Sequence, residues 1–261
     1  MQRQRWFEIH DSRWFPGFLR DLVTEALESI WNRNGTYRPI AGRLREALRQ
    51  AGTTDVVDLC SGGGGPWTGL YDEVAGGGPL TVRLTDRSPH AGLVESGAGL
   101  RGGLVAEAQM VDATCVPEGL RGFRTVFSAF HHFDPEVARA MLADAFRRRE
   151  GIGVFEAARP TLRTVVAVAA VPFLALRAAA VARPVRWSRL VWTFVLPVVP
   201  VVLWVDGVLS CLRSYSLNDL RELTAGLEAA DYRWQVGEEP GMVPIAFVLG
   251  GPVGEAPVDQ R

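Results

Sequence analysis

Val56-Val57-Asp58-Leu59-Cys60-Ser61-Gly62-Gly63-Gly64-Gly65-Pro66 is the stretch on which the fold turns. A short apolar strand ends near an acidic residue, and a glycine run then opens a helix. Four successive glycines let the backbone pass close to a ligand and permit positive φ. A dinucleotide site would place G-x-G-x-x-G here, with pyrophosphate at the helix N-terminus. That spacing is absent, so a nicotinamide-dependent dehydrogenase ranks low.

Outward from this turn, residues 54 to 156 alternate apolar strands with helical stretches, the pattern of βαβ units and a parallel sheet. The strands expected are Asp55–Leu59, Thr81–Thr85, Leu104–Val111, Thr125–Ala129 and Ile152–Glu156. Pro135–Arg149 and Ser216–Ala230 read as helices, and Tyr232–Gly237 with Pro244–Gly250 as a closing pair of strands. The fold class is therefore α/β: a Rossmann-like, seven-stranded, mostly parallel sheet ending in an antiparallel hairpin. Residues 1–50 read as an N-terminal helical cap, because Phe18, Leu19, Leu22, Leu27 and Ile30 recur at helical spacing. Residues 51–261 form the ligand-binding domain with an apolar insertion at 160–213. The aromatic start around Trp6, Phe7, Trp14 and Phe15 reads either as a clasp or as a flap over a ligand.

The glycine turn resembles the first motif of the class I S-adenosylmethionine (SAM) dependent methyltransferases, an acidic residue followed by G-x-G-x-G. Asp58, Cys60, Gly62 and Gly64 occupy those positions, and Cys60 departs from the usual glycine. The resemblance implies SAM as cofactor, with Ser61, Gly62, Gly63 and Gly64 beside its methionine portion and Asp58 fixing the loop or meeting the amino group. It implies that Asp86 accepts hydrogen bonds from the ribose hydroxyls, as the two oxygens of a carboxylate suit, and that Arg87 flanks the adenine. Asp112 and Ala113 fall at the adenine-recognition position. Beyond the motif, nearly the whole chain is similar to a bacterial methyltransferase-like subgroup with no assigned substrate. The shared features are Trp14-Phe15-Pro16, the Asp58–Gly65 turn, Phe130-His131-His132-Phe133 and Val205-Asp206-Gly207-Val208 with Arg213.

Carboxyl ends of parallel strands line the ligand crevice of open α/β sheets, which brings Ser128, Phe130, His131, His132 and Glu156 to the rim. Ser128 and Phe130 are expected beside the cofactor. His131, His132 and Glu156 are the candidate acid–base residues. One histidine is expected to face the crevice and the other to pack, since sequence neighbours point different ways. For the same reason the pair has no metal-ligand spacing, and no metal is expected. Asp206 and Arg213 border an apolar stretch and read as a mutual pair or as part of the site.

Thr164–Leu176 and Leu190–Leu209 are almost wholly apolar, with Arg177, Arg183, Arg186 and Arg189 between them. A spanning hairpin is disfavoured: strands before and after belong to one sheet, so the arginine-rich connection would be translocated, against the positive-inside rule. Pro172, Pro197 and Pro200 also interrupt the segments. A substrate wall, an oligomer contact such as a homodimer, and interfacial membrane contact remain as readings.

Composition narrows the function further. A net charge of −1 over 261 residues leaves no basic footprint for nucleic acid. All 28 Lys+Arg positions are arginine, which removes lysine-based chemistry. Three scattered cysteines form no disulfide framework, and the first residues do not read as a signal peptide. The expectation is a cytoplasmic, bacterial, SAM-dependent methyltransferase acting on a small, hydrophobic metabolite at O, N or C. The alternatives are a SAM-using enzyme that displaces the sulfonium without methylating, and a SAM-binding protein whose insertion is a partner or membrane-surface contact.

Overall fold

The computed structural model describes residues 7–10, 12, 14–89 and 102–253. Trp6 in the aromatic start lies outside the described residues. Helix α1 (Gly17–Asn34) and α2 (Ala41–Gln50) precede β1 (Asp55–Leu59), α3 (Trp67–Ala75), β2 (Thr81–Thr85), β3 (Leu104–Ala106) and β4 (Phe123–Phe127). There follow α4 (Pro135–Arg147), β5 (Ile152–Glu156), α5 (Leu162–Val181), α6 (Trp187–Leu190), α7 (Val198–Arg213), α8 (Leu217–Thr224), β6 (Tyr232–Glu239) and β7 (Ile245–Pro252).

The seven strands lie in the order β3-β2-β1-β4-β5-β7-β6. The first five are parallel, while β7 runs antiparallel to both β5 and β6. The chain winds outward from β1 in one direction and from β4 in the other, so the topological switch lies between them. That is where such sheets hold ligands. Two apolar layers cover the sheet. One packs Leu44, Trp67, Leu70 and Phe155, and the other packs Met141, Leu142, Val154 and Leu220. A third cluster joins α1 to the insertion through Leu19, Val23, Ala175, Val199 and Leu203.

β1, β2 and β5 fall where the apolar runs place them. β4 starts two residues earlier than expected, because Arg124 is a buried strand residue whose charge meets Asp144 at 2.8 Å and Glu150 at 2.6 Å. β3 stops at Ala106 instead of Val111: it is the edge strand, and residues 107–110 are largely exposed. α8 ends at Thr224 rather than Ala230, ahead of Gly226 with its positive φ of 74°. Its start is fixed as expected by Ser216, whose hydroxyl caps Asp219 in a reciprocal capping box.

Candidate active site

The glycine turn is held from below by Asp58, which is 1% exposed. Its Oδ1 accepts the Thr125 hydroxyl at 2.5 Å and its Oδ2 the Ser61 hydroxyl at 2.6 Å. Burial pushes the Asp58 carboxyl up to about 6 against these bonds. Asp58 is thus the anchor of the loop. Cys60 adopts φ 59°, the left-handed region that costs a side-chain-bearing residue about 1–2 kcal/mol. The family's usual glycine at this position would adopt it freely. Gly62, at φ 57°, donates its N–H to Asp86 Oδ2 at 2.9 Å, so the ends of β1 and β2 are tied across the crevice.

The sequence reading missed the roof. Glu28 of α1 accepts the Gly65 N–H at 3.0 Å, and Asn32, one turn on, accepts the Gly69 N–H at 2.8 Å and donates to the Gly65 carbonyl at 3.0 Å. A Cβ on Gly63 would lie 2.5 Å from Glu28 Oε2, so glycine is what lets α1 sit on the turn. Burial raises the Glu28 carboxyl to about 8. The signal in the sequence was a polar stripe of Asp21, Thr24, Glu28 and Asn32 at helical spacing along α1, which puts them on one side.

Between roof and loop runs a crevice of about 910 Å³ lined by Glu28, Asp58, Cys60, Ser61, Gly62, Asp86, Arg87, Asp112, Ala113, Ser128 and His132. Its volume lies in the range of small-molecule sites, roughly 300–1,000 Å³. Asp112 Oδ1 accepts both the N–H and the hydroxyl of Thr114. Gly63 and Gly64 shape the turn without lining the crevice. Phe130, expected beside the cofactor, is instead fully buried, its ring 5.6 Å from Tyr215. Its backbone enters a short turn over Phe130–His132, which points the side chain into the core.

The histidines divide as expected, one facing the crevice and the other packing, but the turn changes the reason. His131 and His132 are not splayed: their rings lie 4.3 Å apart at 33°, because a tight 3-10 turn rotates neighbours by less than a strand does. His131 is 1% exposed, with Nδ1 2.6 Å from Glu156 Oε2 and Nε2 3.2 Å from Glu8 Oε1. Burial opposes its charge, but Glu156 and then Glu8 outweigh that and push it up to about 10. Glu8 is buried too; burial alone would raise its carboxyl, yet His131, His132 and His10 bring it down to about 2. Glu156, expected as a base on the rim, is turned inward. Its oxygens accept the Phe130 N–H at 2.7 Å, the His131 N–H at 3.3 Å and the His131 ring. His132, half-buried, is the member of the pair that lines the crevice.

A second cavity of about 200 Å³ opens beside the first and shares Thr24, Leu27, Trp31, Ser128, His10 and His132 with it. Val171, Leu174 and Leu203 of the insertion close its far side, with Glu8, His131 and Asp206 as polar members. The N-terminal segment is therefore a clasp and a wall at once. Asp206 accepts the N–H groups of Ile9 at 2.6 Å and His10 at 3.1 Å, and meets His10 Nδ1 at 2.8 Å. Arg213 donates to the His132 carbonyl at 3.1 Å and lies 3.8 Å from Glu8. Asp206 thus serves the N-terminal segment and Arg213 the histidine turn. The structure also does what the spacing argument did not foresee: Glu8, His131 and His132, and likewise Glu8, His10 and Asp206, bring ligand-type atoms within 4.8 Å of one another.

No protein-family model and no curated protein matches the sequence. Solved structures do match in fold. The plantazolicin methyltransferase BpumL in complex with SAH superposes with a TM-score of 0.52 at 9% identity, over 90% of this chain and 98% of that one. Human N-acetylserotonin methyltransferase in complex with SAM gives 0.51 at 13% identity, over 89% of this chain and 56% of that longer enzyme. The chain has the fold of the class I SAM-dependent methyltransferases.

Proposed function

We propose that this protein is a SAM-dependent methyltransferase whose acceptor is a small molecule with an apolar body. The observation that carries this is the pair of communicating cavities: a polar crevice over the glycine turn, and an apolar chamber opening into it at His132 and Ser128. The crevice residues suit SAM. Asp86 retains acceptor capacity for the ribose hydroxyls beyond its bonds to Gly62 and Ser88, Val111, Asp112 and Ala113 form the adenine end, and Glu28 is placed to meet the ammonium group. SAM, when bound, supplies an electrophilic methyl on a sulfonium that leaves as a neutral thioether.

This chain's own contribution is placement and proton handling. The chamber walls orient the acceptor toward the loop, and exact orientation supplies much of the rate for a bimolecular displacement. His132 stands where an acceptor O–H or N–H enters the crevice, and takes that proton as the new bond forms. His131, paired on both sides by carboxylates, holds the turn carrying His132.

Calorimetric titration with SAM and SAH, with NAD as control, tests the cofactor. Micromolar binding of both sulfur ligands is expected, weakened about 100-fold in Asp86→Ala through loss of two charge-assisted hydrogen bonds. Binding of NAD alone would overturn the reading.

A further inference from the structure

We propose that the outer face of the α5–α7 insertion docks on anionic phospholipid bilayers and lies flat in the interface. α5 is 20 residues long with a mean hydropathy of 2.1, yet only 22% of its apolar window is buried inside the protein. The exposed positions form a stripe: Leu162, Val165, Val166 and Phe173 on α5, then Val201, Trp204 and Val208 on α7. Their spacing is helical, while Ala175, Ala178, Val199, Val202 and Leu203 on the opposite faces pack with α1. Phe194, Val195 and Leu196 extend the apolar surface between the helices. Monomers rarely expose contiguous apolar patches above a few hundred Å² unless the patch meets a partner.

Charge selects the partner. Residues 162–213 hold six arginines and one acidic residue, Asp206, a formal +5 in a chain of net −1. Asp206 is 4% exposed and faces inward, as does Arg213, so the outward charge of the insertion is that of Arg163, Arg177, Arg183, Arg186 and Arg189, with no carboxylate of its own. Arg177 and Arg183 are exposed, and Arg186 and Arg189 reach Glu25 of α1. A second copy would present the same cationic rim, whereas anionic headgroups complement it. Trp187, 78% exposed, and Trp204 are the amphipathic rings that settle at headgroup depth.

Geometry selects the flat pose. Both ends of the insertion lead back into the same sheet region, through β5 and α8, and the α6 and α7 segments are bent by 67° at their break. Perpendicular entry would drive Arg177 and Arg183 into hydrocarbon, which charged groups resist. An amphipathic hairpin in the interface plane keeps them among headgroups. The inner faces of the same helices wall the apolar chamber. If the methyl-transfer reading holds, an acceptor dissolved in the bilayer reaches the chamber without crossing water.

The test is sedimentation of the full chain with phosphatidylcholine vesicles, with and without phosphatidylglycerol. Binding to the mixed vesicles is expected, about tenfold tighter than to phosphatidylcholine alone and weaker in high salt. Phe173→Ser with Trp204→Ser, both exposed and so compatible with folding by circular dichroism, should lower it about tenfold or more. Protein left in the supernatant, or a dimer by light scattering that this double variant converts to monomer, would overturn the proposal. SAM titration of the same samples reads the cofactor site independently, so the two readings fail separately.

Discussion

Around the carboxyl ends of β1 and β4 two cavities share Leu27, Trp31, Ser128 and His132, yet they are held open by different physics. The crevice is framed by strand ends, a turn with positive φ and carboxylates tied within the parallel sheet, under a roof of Glu28 and Asn32 from α1. Its polar ties reach across 24 to 67 residues. The chamber is assembled from parts of the chain far apart. Glu8 meets His131 across 123 residues, and Asp206 meets Ile9 across 197. The crevice therefore needs the sheet and α1, whereas the chamber depends on buried charges that must find their partners. Damage to one should leave the other largely intact.

The sharpest separation should come from His132→Asn, which keeps ring-sized polarity but removes the proton acceptor. Methyl transfer should fall by about 10²–10⁴ while SAM affinity, measured by calorimetry, stays within about twofold. Equal loss of binding would merge the two cavities into one unit.

Glu8→Gln comes next. It leaves the buried His131 ring with Glu156 as its remaining close carboxylate, and should lower stability by about 1.5–3 kcal/mol in urea unfolding. SAM affinity should hold, because Glu8 lines the chamber and not the crevice.

The same cluster gives a pH signature. His131 is held above its ordinary 6.5, near 10, so its stabilising contribution is full below 6.5 and is lost as pH rises through about 10. Glu8, depressed from 4.5 to about 2, contributes above 4.5 and loses that contribution as pH falls through 2. Urea midpoints should decline from pH 7 to 9 in the wild type, and the part of that decline above about pH 8, beyond the range in which Glu28 loses its proton, should vanish in His131→Asn. A level wild-type curve would mean that the ring is neutral in the folded chain.

The smallest effect belongs to the crevice. Cys60→Gly relieves a left-handed side-chain-bearing residue but frees the unfolded backbone, so stability should move by less than about 1 kcal/mol. SAM binding should persist. A large loss of binding would show that the Cys60 side chain itself touches the ligand.

The sheet and the glycine turn were legible because their signals are local: apolar runs of strand length, and glycine where φ must be positive. Asp58, Cys60, Ser61, Gly62, Asp86, Arg87, Asp112, Ala113, Ser128 and His132 all line the crevice on this basis. Arg124 hid the start of β4, since a charge in a strand centre reads as a loop until Asp144 and Glu150 are seen beside it. Glu156 and Phe130 were read at the rim because strand alternation says which residue ends a strand. It does not say which way the 3-10 turn after β4 will throw Phe130, or that the N–H groups and the His131 ring of that turn will draw Glu156 inward.

By itself the sequence determined the alternating α/β order, the glycine turn and the apolar character of the insertion, because propensity and periodicity act over a few residues. Tertiary structure alone decided that Glu28 and Asn32 roof the turn and that His132 rather than His131 meets the crevice. It also decided that Asp206 latches the N-terminal segment and that one stripe of each insertion helix is left bare. Those outcomes hang on which buried charge finds a partner and which apolar face finds a neighbour. No local pattern encodes such pairings, which span 37 residues between Glu28 and Gly65 and 197 between Ile9 and Asp206.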